Sequence, residues 1–203
     1  MCYLQAFRCP GGCCEAEDGS IYVSDAYNHV IRRRDPLSAL WVTLAGKAAE
    51  KGVSDGKAGD ARFSYPQRIA LHDDGNLVVA GGGSHALHMV QTASGETNTL
   101  AGVGGSAGGS DGKGTEARFS RPIGLAIDRE TWDVFVGDVG GHTIRKVTKA
   151  GEVTTLAGKF KEKGFADEAG TSARFNQPCG IAVRQEGSQK ELIIGECCPR
   201  AIR

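Results

Sequence analysis

The chain of 203 residues carries 24 Lys and Arg side chains and 24 Asp and Glu side chains, so its formal net charge is zero. A neutral balance favours neither nucleic acid nor an anionic membrane surface as a partner. No apolar run approaches the roughly 18 residues of a membrane-spanning helix, and the N-terminal residues lack the basic and apolar regions of a secretory signal. Seven cysteines, an odd number, fit a reducing compartment better than a set of paired disulfides. These features predict an intracellular, cytoplasmic protein.

A strict repeat of 56 residues organises the chain. Its landmarks are Leu-Ala-Gly at 44–46, 100–102 and 156–158, and Ala-Arg-Phe at 61–63, 117–119 and 173–175. A period of this size is typical of architectures in which similar units stack on one another. We predict one domain over residues 1–203, made of units at about 5–60, 61–116 and 117–172 and a partial unit at 173–203.

Each unit contains short apolar or alternating stretches separated by Gly-rich turns. The predicted strands are 21–25, 29–33 and 40–44 in the first unit; 77–80, 85–90 and 96–100 in the second; 125–127, 133–136, 143–147 and 152–156 in the third; and 180–183 and 192–195 in the fourth. No segment has the 3.6-residue apolar period of a helix. Short strands with this spacing predict an all-β fold built from β-propeller blades, each a four-stranded antiparallel sheet.

The third unit resembles the NHL repeat. Its Pro-Ile-Gly-Leu-Ala-Ile-Asp at 122–128, Val-Phe-Val-Gly-Asp at 134–138 and His-Thr-Ile-Arg-Lys at 142–146 carry the likeness, and Asn28-His29 supplies the Asn-His pair of the family's name. The connection from Leu-Ala-Gly to Ala-Arg-Phe resembles the longer form of this repeat. The likeness covers nearly the whole chain, and the second unit departs from it most, with Gly81 and His88 in place of an acid and an arginine.

The resemblance implies a propeller, and propellers close with roughly 4–8 blades. Three units and part of a fourth therefore predict an incomplete ring in one chain. Each open end would expose an apolar blade face and an unpaired strand edge. Three explanations stay open: the chain is a fragment of a longer propeller, two copies form a homodimer with a ring of seven or eight blades, or another partner covers an open arc.

Acid and arginine residues recur seven positions apart near the ends of the second strands. The pairs are Asp25 with Arg32, Asp138 with Arg145, and Glu196 with Arg203. In the second unit both members change together, to Gly81 and His88. Joint loss is expected of a salt bridge, because a buried charge without its partner is costly. The alternative is that these turns line one rim of the central channel and bind a ligand there.

A second acid and arginine set lies in the loops that join the units. Asp55, Asp111 and Asp167 precede Arg62, Arg118 and Arg174, again by seven residues. Because this set recurs in every loop, we predict that it belongs to the scaffold. The phenylalanine after each arginine is predicted to fill the gap between adjacent blades.

Three histidines, His29, His85 and His142, occupy equivalent turn positions. Together with Asn28 they are the predicted binding residues. A ring of histidines facing a channel could hold zinc. No carboxylate is clearly unique to a central site, so we expect no metal, no cofactor and no catalytic residue.

The cysteines lie only in the first and last units. Cys13 and Cys14 stand where the second unit has Ile69-Ala70, so burial as small apolar side chains is expected. The alternative is that cysteines of the two terminal units meet where a ring would join, as contacts or as disulfides.

The loops 47–60, 103–116 and 159–172 are expected on the same rim as the turns 25–28, 81–84 and 138–141, and this rim is the predicted binding surface. The sequence predicts a non-catalytic scaffold that binds a protein. Two alternatives are a propeller lyase or hydrolase with a metal on its axis, and an RNA-binding surface, which the neutral charge disfavours. A purely structural module is a third.

Overall fold

A computed structural model describes residues 6–72, 74–186, 189–197 and 201–202. The predicted all-β fold is confirmed, because these residues form four antiparallel sheets that follow one another along the chain. Within these ranges the helices are single 3-10 turns, at Ala26–Asn28, Ala58–Asp60, Gly114–Glu116 and Gly170–Ser172. None of the helices in the described ranges has the length and apolar character needed to span a bilayer.

Each sheet is one blade. The first blade contains β1 (Pro10–Glu15), β2 (Ile21–Asp25), β3 (Val30–Arg34) and β4 (Trp41–Ala45). The second contains β5 (Pro66–Leu71), β6 (Asn76–Gly81), β7 (Ala86–Gln91) and β8 (Thr97–Gly102). The third contains β9 (Gly112–Lys113), β10 (Pro122–Ile127), β11 (Val134–Asp138), β12 (Thr143–Val147) and β13 (Glu152–Gly158). The fourth contains β14 (Pro178–Glu186), β15 (Gln189–Glu196) and β16 (Ala201–Ile202).

The innermost strands β1, β5, β10 and β14 contact one another from blade to blade. Each begins at a proline, which lacks an N–H group and is tolerated at the first residue of a strand. The residue before each proline has a positive φ, at 50° for Cys9, 48° for Tyr65, 62° for Arg121 and 59° for Gln177. The chain therefore enters every blade through the same left-handed turn.

Apolar side chains fill the spaces between adjacent blades. Phe63 packs with Tyr22 and Ile31 of the first blade and with Leu77 of the second. Phe119 and Phe175 occupy the same place in the next two interfaces. The prediction that these phenylalanines fill the gaps is confirmed, and their exposed fractions are only 1%, 0% and 6%.

Two connecting loops also close the outer edges of the second and third blades, which the sequence did not indicate. β9 belongs to the loop before the third blade, yet it pairs with the outermost strand β13, with Lys113 opposite Glu152. In the second blade Gly56 forms a bridge to Thr97 in the same way. These two loops thus cover strand edges that would otherwise be open to pairing with other chains.

The two ends of the blade series expose faces that are buried inside it. Phe7 stands at the position of Phe63 but is 38% exposed. Ile202 stands at the position of Ile31 and Leu87, and it is 81% exposed where both of those are fully buried. The blades do not close into a ring within the described residues, in line with the predicted incomplete propeller.

Candidate functional site

The connecting loops and the turns between the second and third strands lie on one side of the molecule. Backbone N–H groups of the loops donate to carbonyls of the turns, from Ala49 to Asn28 at 3.1 Å, from Gly105 to Ser84 at 2.9 Å and from Lys161 to Gly141 at 2.9 Å. The prediction that they share a rim is confirmed. We call this side the loop rim, comprising residues 6–9, 25–29, 46–65, 81–85, 103–121, 138–142 and 159–177. The opposite side, the turn rim, comprises residues 16–20, 35–40, 74–75, 92–96, 128–133 and 148–151.

The acids at the ends of the second strands hold the backbone that enters each blade. Asp25 accepts the N–H of Arg8 at 2.8 Å. Asp138 accepts the N–H of Ser120 with both oxygens, at 2.7 and 2.9 Å, and Glu196 accepts that of Asn176 at 2.9 Å. All three carboxylates are buried. A carboxylate that accepts backbone N–H groups is a strong, charge-assisted contact, and here it fixes the start of the innermost strand.

The arginines meet these acids to different degrees. Arg32 Nε lies 3.3 Å from Asp25 Oδ2, and its guanidinium also donates to Thr43 at 2.7 Å. Arg145 is 4.0 Å from Asp138 and only 2.7 Å from Asp111, which comes from the connecting loop. Burial raises the pKa of Asp138 to about 7, although the Ser120 N–H and Arg145 favour its charged form. The third predicted pair, Glu196 with Arg203, cannot be placed because Arg203 lies outside the described residues.

The second blade holds a neutral pair where the other blades hold charges. The Ser84 hydroxyl lies 2.9 Å from His88 Nε2 and donates to the Gly81 carbonyl at 3.1 Å. Burial lowers the pKa of His88 to about 4, so the ring is neutral at pH 7. Its ring packs against the edge of Phe63, with 5.7 Å between ring centroids.

Two of the loop acids, Asp55 and Asp111, bind the next blade rather than the arginines seven residues later. Asp55 accepts the N–H and hydroxyl of Thr99 at 3.0 and 2.9 Å, and Asp111 accepts those of Thr155 at 3.1 and 2.8 Å. Asp167 is exposed. The arginines stay within their own loops, where each donates to backbone carbonyls: Arg62 to Gly59, Arg118 to Ala117 and Arg174 to Thr171.

The three histidines connect adjacent blades. Nδ1 of His29, His85 and His142 accepts the N–H of Tyr65, Arg121 and Gln177 at 3.3, 3.0 and 3.2 Å, respectively. An accepting Nδ1 requires a neutral ring with its hydrogen on Nε2. Burial lowers the pKa of all three rings, and nearby lysines lower it further. We call these contacts the histidine clips. The sequence showed that the three histidines occupy equivalent positions of the repeat, but it did not show their backbone partners.

Asn28 also has structural contacts. Its amide donates to Asp25 Oδ2 at 2.7 Å and to the Ala6 carbonyl at 3.1 Å. The four predicted binding residues thus lie on the loop rim, and each makes contacts within the scaffold. Among the described residues no group of three or more His, Cys, Asp or Glu side chains is arranged to hold a metal ion.

The exposed surface beside the clips is aromatic and basic. Tyr27 is 51% exposed and packs against the edge of Tyr65 at 5.3 Å between centroids. Tyr65 also contacts the ring of His29 at 4.7 Å, and Lys51 Nζ lies 5.3 Å above its face. Further along the rim, Lys161 Nζ lies 5.5 Å from the exposed ring of Phe160. Aromatic side chains such as these tyrosines and this phenylalanine are enriched at protein interfaces.

A cavity of about 700 Å³ opens on the turn rim, at the far ends of the innermost strands. It is lined in part by Cys14, His72, Arg129 and Trp132, and the rings of His72 and Trp132 lie 5.0 Å apart. Burial raises the pKa of the Cys14 thiol to about 12, which leaves it protonated and unreactive. The turns that line this cavity differ in length and sequence, so no repeated signal marks it.

The cysteines follow the expectations only in part. Cys14 packs against the core between the first two blades, as expected, whereas Cys13 is exposed because its face of the first blade is open. Cys179 and Cys197 form a disulfide inside the fourth blade, not at a joint between the two ends. Cys198 lies outside the described residues.

Comparisons with known proteins agree with this architecture. The chain is 36% identical over 91 residues to Protein SUPPRESSOR OF QUENCHING 1, chloroplastic, of Arabidopsis thaliana, a match that covers 45% of this chain and 8% of that protein. It is 28% identical over 156 residues to NHL repeat-containing protein 2 of Bos taurus, covering 71% of this chain and 21% of that protein. No family model matches the chain.

A solved structure of a Bacteroides thetaiotaomicron protein of unknown function superimposes with a TM-score of 0.75 at 22% identity, covering 95% of this chain and 46% of that one. The structural neighbours are β-propeller proteins. The chain thus spans a small part of its curated relatives and about half of this structural neighbour.

Proposed function

We propose that this chain, whose blades are repeats of the NHL type, is a non-catalytic scaffold that binds a protein partner on its loop rim. The carrying observation is a cluster beside the His29 clip, in which the exposed Tyr27 and Lys51 pack against the half-buried Tyr65. Tyrosines supply large contact areas at a low entropic cost, and anchors of this type dominate the binding energy of many interfaces.

Rigid support beneath the cluster favours this function. The clip from His29 to the Tyr65 N–H and the bond from Ala49 to Asn28 fix both the turn and the loop that carry these side chains. A surface held in one arrangement before binding loses less conformational entropy when the partner arrives. A rigid surface of this kind therefore suits the binding of a partner better than a flexible segment would.

Site-specific photo-crosslinking tests the proposal. A photoreactive amino acid placed at Tyr27 in the protein in its native cells should capture one defined protein, identified by mass spectrometry. The matched control is Leu37, a 96% exposed apolar side chain on the turn rim. The same capture at both positions, or none at Tyr27, would count against a protein site on the loop rim.

We also propose that the two open faces pack against further blades, supplied either by the rest of a longer chain or by a second copy. The exposure of Phe7 and Ile202, at positions that are buried inside the blade series, supports this. Light scattering of the purified chain separates the sources: twice the chain mass supports the second copy. A monodisperse single chain favours blades from a longer protein.

We propose an intracellular, cytoplasmic location, which the odd number of cysteines supports. A reducing compartment would keep Cys179 and Cys197 as thiols, although they form a disulfide in this structure. Alkylation of the protein directly in lysed native cells checks this. Resistance of both cysteines to alkylation until a reductant is added would contradict the proposed location.

A further inference from the structure

Five exposed basic side chains surround the inner part of the loop rim, where the chain enters the blades. They are Arg8, Lys51, Arg121, Lys161 and Lys163, and we call this region the basic mouth. Lys161 is held there by its backbone bond to Gly141, and its Nζ lies 3.4 Å from Ser120 Oγ. Its positive charge lowers the pKa of both His85 and His142, because Lys161 lies between these two clips.

Several acids of the same rim are already engaged. Asp25 and Asp138 are buried beneath the rim and accept backbone N–H groups. Glu50 is bound by Lys47 at 2.6 Å and Arg62 at 2.9 Å, and Glu162 is bound in the same way by Lys159 and Arg174.

The loop acids Asp55 and Asp111 lie at the perimeter, where they bond to the outermost strands. The segments 55–60 and 111–116 that carry them run along those strands, as the pairing of Gly56 and β9 shows. These acids are thus held at the outside of the rim or neutralised, and the exposed Asp167 and Glu168 lie in the segment of the third loop that corresponds to 55–60 and 111–116. The inside presents a positive surface although the whole chain is neutral.

We propose that the basic mouth binds an acidic segment of a protein partner. This deepens the proposed function and rests on it. Opposite charges across an interface speed association and select the partner, and the adjoining Tyr27 and Phe160 rings offer apolar contact beside the charges. The structure favours an extended acidic peptide, because a short segment with several carboxylates could contact the five basic side chains around the mouth at the same time.

RNA fits this surface less well. Single-stranded RNA is recognised by stacking bases on open aromatic faces and by a continuous basic track. Tyr27 and Tyr65 pack edge to face at 78°, and Lys51 lies above the Tyr65 ring. The Glu50 and Glu162 carboxylates also interrupt any basic track that runs outwards along the loops.

Fluorescence anisotropy with a short labelled peptide of alternating Glu and Ala residues tests the proposal. The double variant Lys51→Glu with Lys161→Glu should weaken binding by about tenfold or more, because attraction becomes repulsion at the mouth. The matched control, Arg129→Glu with Lys149→Glu, makes the same change in net charge on the turn rim. It should alter the Kd by less than about twofold, because charges there are screened from the mouth.

Circular dichroism confirms that both double variants remain folded. Absence of peptide binding to the unchanged chain, or equal weakening in the two variants, would overturn the proposal. A labelled single-stranded RNA that binds more tightly than the peptide, with loss in the mouth variant alone, would replace the acidic segment by nucleic acid. A partner crosslinked at Tyr27 that binds without any acidic segment would retain the proposed function and overturn only this inference.

Discussion

The second and third blades place different chemistry at one position of the repeat. The third blade buries Arg145 completely and surrounds it with Asp111 at 2.7 Å, Asp138 at 4.0 Å and the ring of Phe119. The second blade buries the neutral pair of Ser84 and His88, 2.9 Å apart. Both blades keep the same strands and the same interface.

The difference shows that the fold requires complementary side chains at this position and not a particular charge. A buried ion pair is often no more stabilising than a well-packed neutral replacement, whereas half of a pair is costly. The Ser84 hydroxyl occupies the space that a side chain at Gly81 would need. Glycine at 81, serine at 84 and histidine at 88 are therefore one coupled change.

The largest expected effect on stability comes from a change to the charged group of the third blade. Arg145→Ala should lower the free energy of unfolding by about 3–5 kcal/mol, because it leaves Asp138 buried without its cation. Urea denaturation measures the loss. The control Arg129→Ala, at an exposed arginine of the turn rim, should change stability by no more than about 0.5 kcal/mol. Equal losses in the two variants would mean that Arg145 has no special role.

The two blades should respond to pH in opposite directions. His88 has a pKa of about 4 in the folded chain and 6.5 as its ordinary value, so the unfolded chain binds more protons and stability rises between these pH values. Asp138 has a pKa of about 7 against an ordinary 3.8, so its contribution falls as pH rises through that window. Each contribution is on the order of 2–4 kcal/mol.

Single variants separate these opposing contributions. In Asp138→Asn, the free energy of unfolding should rise from about pH 4 to 6.5, because the His88 contribution and those of the three histidine clips remain. In His88→Gln, that rise should become smaller than in the unchanged chain. Urea titrations at several pH values give the slopes. Parallel pH profiles in the two variants would show that neither group titrates as described.

Restoring the acid of the repeat in the second blade should be harmful. Gly81→Asp should destabilise the chain by about 1–3 kcal/mol, because its Cβ would overlap the Ser84 hydroxyl and approach His88 Nε2. Adding Ser84→Gly should recover part of the loss. The midpoints of urea denaturation compare the variants, and a stabilising Gly81→Asp would contradict the coupling described above.

The smallest effects concern the loop acids. Asp55→Ala removes two bonds to Thr99 and should cost about 1 kcal/mol. Asp111→Ala removes the equivalent bonds to Thr155 and also the contact with Arg145, so its loss should be larger by about 1 kcal/mol or more. The difference disappears in an Arg145→Met background if Arg145 causes it. A difference that persists there would point to another cause.

The fold was predictable because each unit repeats the same pattern of apolar and polar side chains, and this pattern marks the strands and the turns. The predicted strand 143–147 coincides with β12, and 21–25 coincides with β2, since both alternate in polarity or run apolar between clear turns. β9 was not predictable in the same way. Two residues, Gly112 and Lys113, pair with a strand about 40 residues later through backbone groups that every sequence possesses.

The candidate site was predictable only in outline. The spacing of His29, His85 and His142 showed that they share a place, but their partners are backbone N–H groups of Tyr65, Arg121 and Gln177. Every residue except proline has a backbone N–H group, so the residue type does not reveal which one donates. The same limit applies to the acids, whose spacing suggested arginine partners while the shorter contact of Asp138 is with the Ser120 N–H.

The pairing of β9 with β13 at the outer edge of the third blade joins two neighbouring units of the repeat, and this bears on how the number of blades can change. In the second and third blades this pairing joins residues of two neighbouring units, so adding or deleting one whole 56-residue unit would leave the remaining pairings of this kind intact. Blade number can thus change in whole steps by duplication. A single proteolytic nick at the exposed Lys113, by contrast, would loosen the connecting loop and the neighbouring sheet together.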